Sequence, residues 1–130
     1  MEWSESLRTG IPLIDDQHRG LFACVKSFEK ASSAGNILLS VHTMDLLNRY
    51  VRTHFSAEEE LMRAHNYPKL TDHIAEHRQF SAKLFRLIME NVRRDNSLEM
   101  LEFLRGWLVH HIAGSDMKYV PYLLKIPEET

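Results

Sequence analysis

Four stretches of this chain carry apolar residues at alternating spacings of three and four, and each apolar stripe is broken by residues that ligate metals. Three-four spacing is the inward face of helices packed nearly parallel, so the pattern demands a bundle. Imidazoles and carboxylates on such a face need partners, because a buried polar group left unpaired costs about 1–3 kcal/mol. The same few positions therefore constrain both the fold and the chemistry.

The first stretch runs from about Asp16 to Ala34, with Ile14, His18, Leu21, Val25 and Phe28 on its face and Phe22 beside them; Asp15 or Asp16 is the expected N-cap. The second runs from about Ile37 to His65 and reads Leu47, Val51, His54, Glu58, Leu61, His65. The third, about Thr71 to Arg94, reads Leu70, His73, His77, Phe80, Leu84, Leu87. The fourth, about Ser97 to Met117, reads Leu101, Leu104, Leu108, His111. Gly35-Asn36, Tyr67-Pro68 and Asp95-Asn96-Ser97 are turn signals between them, and connections this short make neighbouring helices antiparallel. There is no strand-like alternation of useful length and no repeat. The expected fold is all-α: an up-down-up-down antiparallel four-helix bundle formed by residues 1–130 as a single domain. An N-terminal arm containing Gly10-Ile11-Pro12 precedes it, and a short C-terminal tail, Lys118 to Thr130, follows.

Composition narrows the function classes. Hydrophobic residues make up 44% of the 130 residues, enough for a core without covalent staples. A net charge of −2 gives no basic face for nucleic acid. No apolar run approaches a bilayer span. The start, Met1-Glu2-Trp3-Ser4-Glu5, lacks the basic and apolar regions of a signal peptide. One cysteine, Cys24, excludes an internal disulfide and fits a reducing compartment. The expectation is a cytoplasmic protein with neither a nucleic-acid nor a membrane partner.

The candidate ligands are His18 on the first stripe, His54 and Glu58 on the second, His73 and His77 on the third, and His111 on the fourth. His54/Glu58 and His73/His77 are i,i+4 pairs, about 40° apart around a helix and about 6 Å along it, so both members can reach one point. A lone histidine on an apolar face is more often a hydrogen-bonded core residue than a ligand; two such pairs plus single histidines on the other two helices point to metal. An imidazole-rich set without thiolate suits iron, zinc, copper or nickel rather than calcium or magnesium. The set exceeds the four ligands of a structural zinc site, which points to two metals. Neither the Glu-x-x-His of carboxylate-rich di-iron bundles nor the His-Glu-x-x-His of zinc proteases occurs. Among the other candidates, His110 points about 100° away from His111 and is read as non-ligating. His65 belongs at a helix C-terminus, His42 at the surface, and Cys24 in the core as a small apolar residue. Glu59, Glu60 and Glu76 are either solvated or placed around the ligands.

These residues resemble the hemerythrin family in its bacterial branch, in order along nearly the whole chain. Trp3 and Ile14-Asp15-Asp16-Gln17-His18 are similar to its opening motif, and His54-Phe55-Ser56-Ala57-Glu58-Glu59 to its second-helix motif. His73-Ile74-Ala75-Glu76-His77 resembles the third, and Trp107 through Asp116 the last. Myohemerythrin of this family is itself an example of the up-down-up-down bundle, so the resemblance and the fold expectation are not independent. The resemblance implies two iron ions with a bridging oxo or hydroxo group. His73, His77 and His111 hold one iron, His18 and His54 the other, and Glu58 and Asp116 bridge them. Counting the solvent bridge, one iron has six ligands and the other five, leaving one position for dioxygen, O2. A dry pocket of Phe55, Trp107, Leu108 and Ile112 is expected around it, with Met62 as lining or filler.

One spacing strains this assignment. His111 and Asp116 are i,i+5, about 140° apart on an ideal helix, so a bulge or bend near Gly114 is required to turn Asp116 inward. The implied function is reversible dioxygen binding, as carrier or store. The alternatives are an oxygen- or redox-sensing module acting on a signalling partner or attached domain, and a di-iron enzyme reacting with peroxide or nitric oxide. Against the enzyme, no additional acid or base stands out near the open position.

Overall fold

The computed structural model describes residues 2–124. Four helices form the bundle: α1 (Pro12–Ser33), α2 (Ile37–Ala64), α3 (Leu70–Asn91) and α4 (Ser97–His110). A π-helical turn, His111–Asp116, follows α4 without interruption and leads into a short α5, Met117–Leu123. The up-down-up-down arrangement read from the stripes is the one observed.

The helix ends differ from expectation in instructive ways. Helix α1 starts at Pro12 rather than near Asp16, because proline at the first helical position has its φ preset and no N–H to leave unpaired. Asp15 is therefore not an N-cap. It turns inward and is buried, accepting from the Thr9 backbone N–H and hydroxyl, each at 2.8 Å, and from the Gly10 N–H at 3.1 Å. Those bonds fasten the N-terminal arm to the start of α1. Asp16, the other cap candidate, is exposed and pairs with Arg19. The arm carries a 3-10 turn, Glu5–Leu7, whose Leu7 is buried in the core.

Between α1 and α2 the chain reverses through Gly35, at φ +68, where a side chain would strain the backbone. Asn36 then caps α2, its side-chain oxygen accepting from the Leu39 N–H at 3.0 Å. Helix α3 stops at Asn91, short of Arg94. Beyond it the Asn96 amide donates to the Leu87 carbonyl at 2.9 Å, and Asp95 accepts from the Ser97 N–H and hydroxyl. The last helical stretch runs past Met117 to Leu123, so part of the expected tail is helical, with Pro121 inside it. Residues 125–130, including Pro127, lie outside the described residues.

The stripes bury as read on α1 and α4, and on α3 from His73 onward, whereas Leu70 at the first residue of α3 is only half-buried. On α2 the stripe drifts: Leu61 is half-buried and His65 exposed, while Met62 is fully buried. Over seven residues a 3.6-residue helix slips about 20° from a strict heptad, and Met62 takes the inward place. Cys24 is half-buried at the edge of the core rather than inside it.

Two apolar clusters fill the bundle. The larger, including Leu21, Phe28, Leu47, Phe80, Leu84 and Leu104, occupies the length toward the α1–α2 turn. The smaller, Met62, Tyr67 and Tyr119, closes the opposite end. Full burial of such a Leu or Phe contributes about 1.5–3 kcal/mol. The ligand candidates lie between the two clusters. No helix among the described residues is long and apolar enough to cross a membrane.

Candidate metal centre

All seven candidates converge. One set of ligating atoms comes from Glu58, His73, His77, His111 and Asp116; a second comes from His18, His54, Glu58 and Asp116; within each set the atoms lie within 4.8 Å of one another. All seven residues are buried.

The i,i+4 pairs on α2 and α3 act as their spacing requires. Each carboxylate divides its oxygens between the sets. Glu58 Oε1 lies 3.0 Å from His77 Nε2 and 3.5 Å from His73 Nε2. Its Oε2 lies 3.5 Å from His54 Nε2 and 3.6 Å from His18 Nε2. Asp116 Oδ1 faces His111 at 2.9 Å and His73 at 3.0 Å, and its Oδ2 faces His18 at 3.1 Å. Asp116 reaches this position because of the π turn. Bonding from i to i+5 stacks residues five apart, so His111 and Asp116 share a face. The bend required near Gly114 is this turn.

The inner atoms are poorly satisfied by protein alone. His18 Nε2, His73 Nε2, His77 Nε2, His111 Nε2, Glu58 Oε1 and both Asp116 oxygens are buried without a hydrogen-bond partner among the described residues. Such a concentration of orphaned lone pairs is costly, and metal coordination is what these donor types share. The residues present thus fit a metal centre by their own chemistry.

Electrostatics without metal follow from the same crowding. Burial disfavours charge on His18 and His73, but the Asp116 and Glu58 carboxylates outweigh it and raise both histidines to about 9. Burial alone would also raise Glu58, yet His54 and its neighbours hold it well below the usual carboxylate range. Asp116 is lowered too, against burial and Glu58, by the imidazoles of His111, His18 and His73 crowded against its carboxylate. A metal ion held here would have to displace these protons, since a ligating imidazole must be neutral.

The outward imidazole nitrogens are held from behind. Gln17 Oε1 lies 2.7 Å from His54 Nδ1 and Glu59 Oε2 lies 2.7 Å from His77 Nδ1. Glu76 Oε2 is 3.0 Å from His111 Nδ1, within ion-pair range though off the line of a hydrogen bond. Phe55 stacks on the His77 ring at 3.7 Å between centroids, and Trp107 on the His111 ring at 4.2 Å. Leu108 and Ile112 are buried in the larger cluster beside the site.

A family profile described as "Hemerythrin HHE cation binding domain" matches residues 9–123, the stretch that holds all seven of the converging side chains. The chain belongs to the hemerythrin family. It is 35% identical over 118 residues to "Myohemerythrin-1" of Phascolopsis gouldii, covering 90% of this chain and 89% of that one. It is 31% identical over 130 residues to "Bacteriohemerythrin" of Methylococcus capsulatus, covering 95% and 96%. A crystal structure titled "Crystal structure of hemerythrin:wild-type" superposes with a TM-score of 0.87 at 30% identity, covering 95% and 97% of the two chains.

Within this hemerythrin fold the remaining candidates take the places expected of them. His110 and His42 are exposed, and His65 caps the end of α2 with Nδ1 2.8 Å from the Leu61 carbonyl. Glu59 and Glu76 stand behind ligand candidates, whereas Glu60 is exposed and pairs with Arg63. Sequence reasoning missed Tyr119. It is fully buried and its hydroxyl donates to Glu58 Oε2 at 2.6 Å; burial and then Glu58 push its own pKa far up, so it stays a proton donor. The available signal was its position three residues after Asp116, in a stretch taken for tail.

Proposed function

We propose that this chain binds dioxygen reversibly at two iron ions, as a binding protein rather than an enzyme. His73, His77 and His111 would hold one iron, His18 and His54 the other, with Glu58 and Asp116 bridging and a solvent oxygen as the third bridge. The observation that carries this reading is the pair of ligand sets, five and four residues strong, sharing both carboxylates. The His18–His54 iron would thus have one protein ligand fewer than the other. Iron supplies the electrons and the open coordination position that dioxygen requires.

The protein's own residues do the rest. Gln17, Glu59 and Glu76 orient imidazoles from behind, presenting each Nε2 inward. Phe55 and Trp107 stack on the His77 and His111 rings, and buried Leu108 and Ile112 lie in the same apolar cluster, a surface that would limit water access and loss of the bound molecule by protonation. Met62 packs with Tyr67 and Tyr119 below the site and serves as filler. Membership in the hemerythrin family supports the same reading.

Iron analysis of reconstituted protein should give two ions per chain. Stopped-flow mixing of the diferrous form with oxygen should give a coloured adduct that disappears when oxygen is removed. One iron per chain, or prompt irreversible oxidation with repeated turnover, would overturn the proposal.

A further inference from the structure

The two ligand sets are unequal, and three separate features tilt them the same way. The first is number: five residues against four. The second is what stands behind the imidazoles. On the five-residue side, carboxylates from Glu59 and Glu76 lie 2.7 Å and 3.0 Å from the Nδ1 atoms of His77 and His111. On the four-residue side, His54 Nδ1 faces the neutral amide of Gln17, and His18 Nδ1 is buried without a partner among the described residues. A carboxylate behind an imidazole makes it a more basic, stronger ligand; a neutral amide does so much less. The third is Tyr119. Its hydroxyl donates to Glu58 Oε2, the oxygen facing His18 and His54, and so draws electron density from it. Glu58 Oε1, facing His77, carries no such bond among the described residues.

We infer that the centre loads in order: the His73–His77–His111 position fills first and tightly, the His18–His54 position second, with Glu59 and Glu76 setting the gap. The inference rests on the di-iron reading, since it assumes two metal positions. Glu59 and Glu76 act through the ligands and are positioning residues. Repulsion between neighbouring cations weakens the second event further and sharpens the order.

The test is titration of metal-free protein with Co2+, a divalent probe needing no redox chemistry, followed by calorimetry and visible absorption. Two Co2+ should bind in resolved steps separated by about tenfold or more. Combined Glu59→Gln and Glu76→Gln substitution should weaken the His73–His77–His111 position about 10–100-fold and leave the His18–His54 position nearly unchanged, so that the gap between the steps closes or reverses. Tyr119→Phe should tighten the second step, and His54→Ala should abolish the second while sparing the first. Uptake of two Co2+ in one unresolved step by the unsubstituted chain, or equal weakening of both positions by the glutamine pair, overturns the ordered loading and leaves the two-metal reading intact. Uptake of fewer than two overturns both.

Discussion

At the scale of single residues, charge and capping decide most. His18 and His73, raised from 6.5 to about 9 by neighbouring carboxylates despite burial, stabilise the metal-free fold only while protonated. A group whose folded pKa is raised contributes fully below its unfolded value and loses that contribution as pH climbs through the folded value. Chelated protein should therefore unfold at lower urea concentration at pH 9.5 than at pH 6.5. Metal affinity should move the other way, tightening as pH rises toward 9, because protons compete for the same nitrogens. Urea midpoints of the chelated protein that do not change over this range would mean these histidines are neutral in the folded state. A second residue-scale expectation concerns Asp15. Removing its carboxylate strands the Thr9 and Gly10 donors in a mostly buried place, so Asp15→Ala should cost about 2–3 kcal/mol in denaturant unfolding. The outcome that counts against this is a loss within about 0.5 kcal/mol, the range of ordinary surface changes.

At the scale of elements, the π turn is the device that completes the site. It adds one residue to what would otherwise be a continuous helix through α4 and α5. In α geometry His111 and Asp116 would stand about 140° apart; five-residue bonding puts them on one face. Deleting the exposed Ala113 from the turn should restore regular α bonding with His111 and Asp116 now four apart, still on one face. That variant should fold and retain two metal ions per chain by elemental analysis. Deleting Gly106 in α4 should instead rotate Leu101 and Leu104 about 100° out of phase with Leu108 and His111, and cost most of the stability. Loss of metal in the Ala113 deletion would show that the turn's shape, not its phase, holds Asp116. The need for this turn was legible in the sequence because i,i+5 spacing conflicts with an α-helix. Its length was not, since nothing local in Ile112-Ala113-Gly114-Ser115 distinguishes a bend from a π turn. The four stripes were legible for the related reason that burial is periodic. The start of α1 was not: an aspartate near a helix start reads as a cap, and only tertiary packing reveals that Asp15 reaches backward to the arm. Tyr119 was hidden because its partner, Glu58, is 61 residues away.

At the scale of the whole molecule, the seven converging side chains come from α1, α2, α3 and the π turn that ends α4, so the centre ties every helix of the bundle to one point. Without metal, the fold must bury five imidazoles and two carboxylates between two apolar clusters, balancing charges through protons alone. With metal, each bound ion stabilises the native state by mass action, about 2.7 kcal/mol when free metal exceeds its dissociation constant a hundredfold. Two ions would then contribute about 5 kcal/mol, a large share of the 5–15 kcal/mol typical of a domain. For a chain of this size each kcal/mol moves the melting temperature by a few degrees, so stripping the metal should lower Tm by roughly 15–20 °C. The loss should not be uniform. Hydrogen exchange should rise most near the smaller cluster of Met62, Tyr67 and Tyr119, which is the thinner of the two and has the metal centre as its inner wall. The larger cluster, packed by residues from all four helices, should keep its protection longest. If stripping the metal left Tm and the exchange pattern unchanged, the centre would be a passenger in a bundle that stands alone, and its buried charges would need another account.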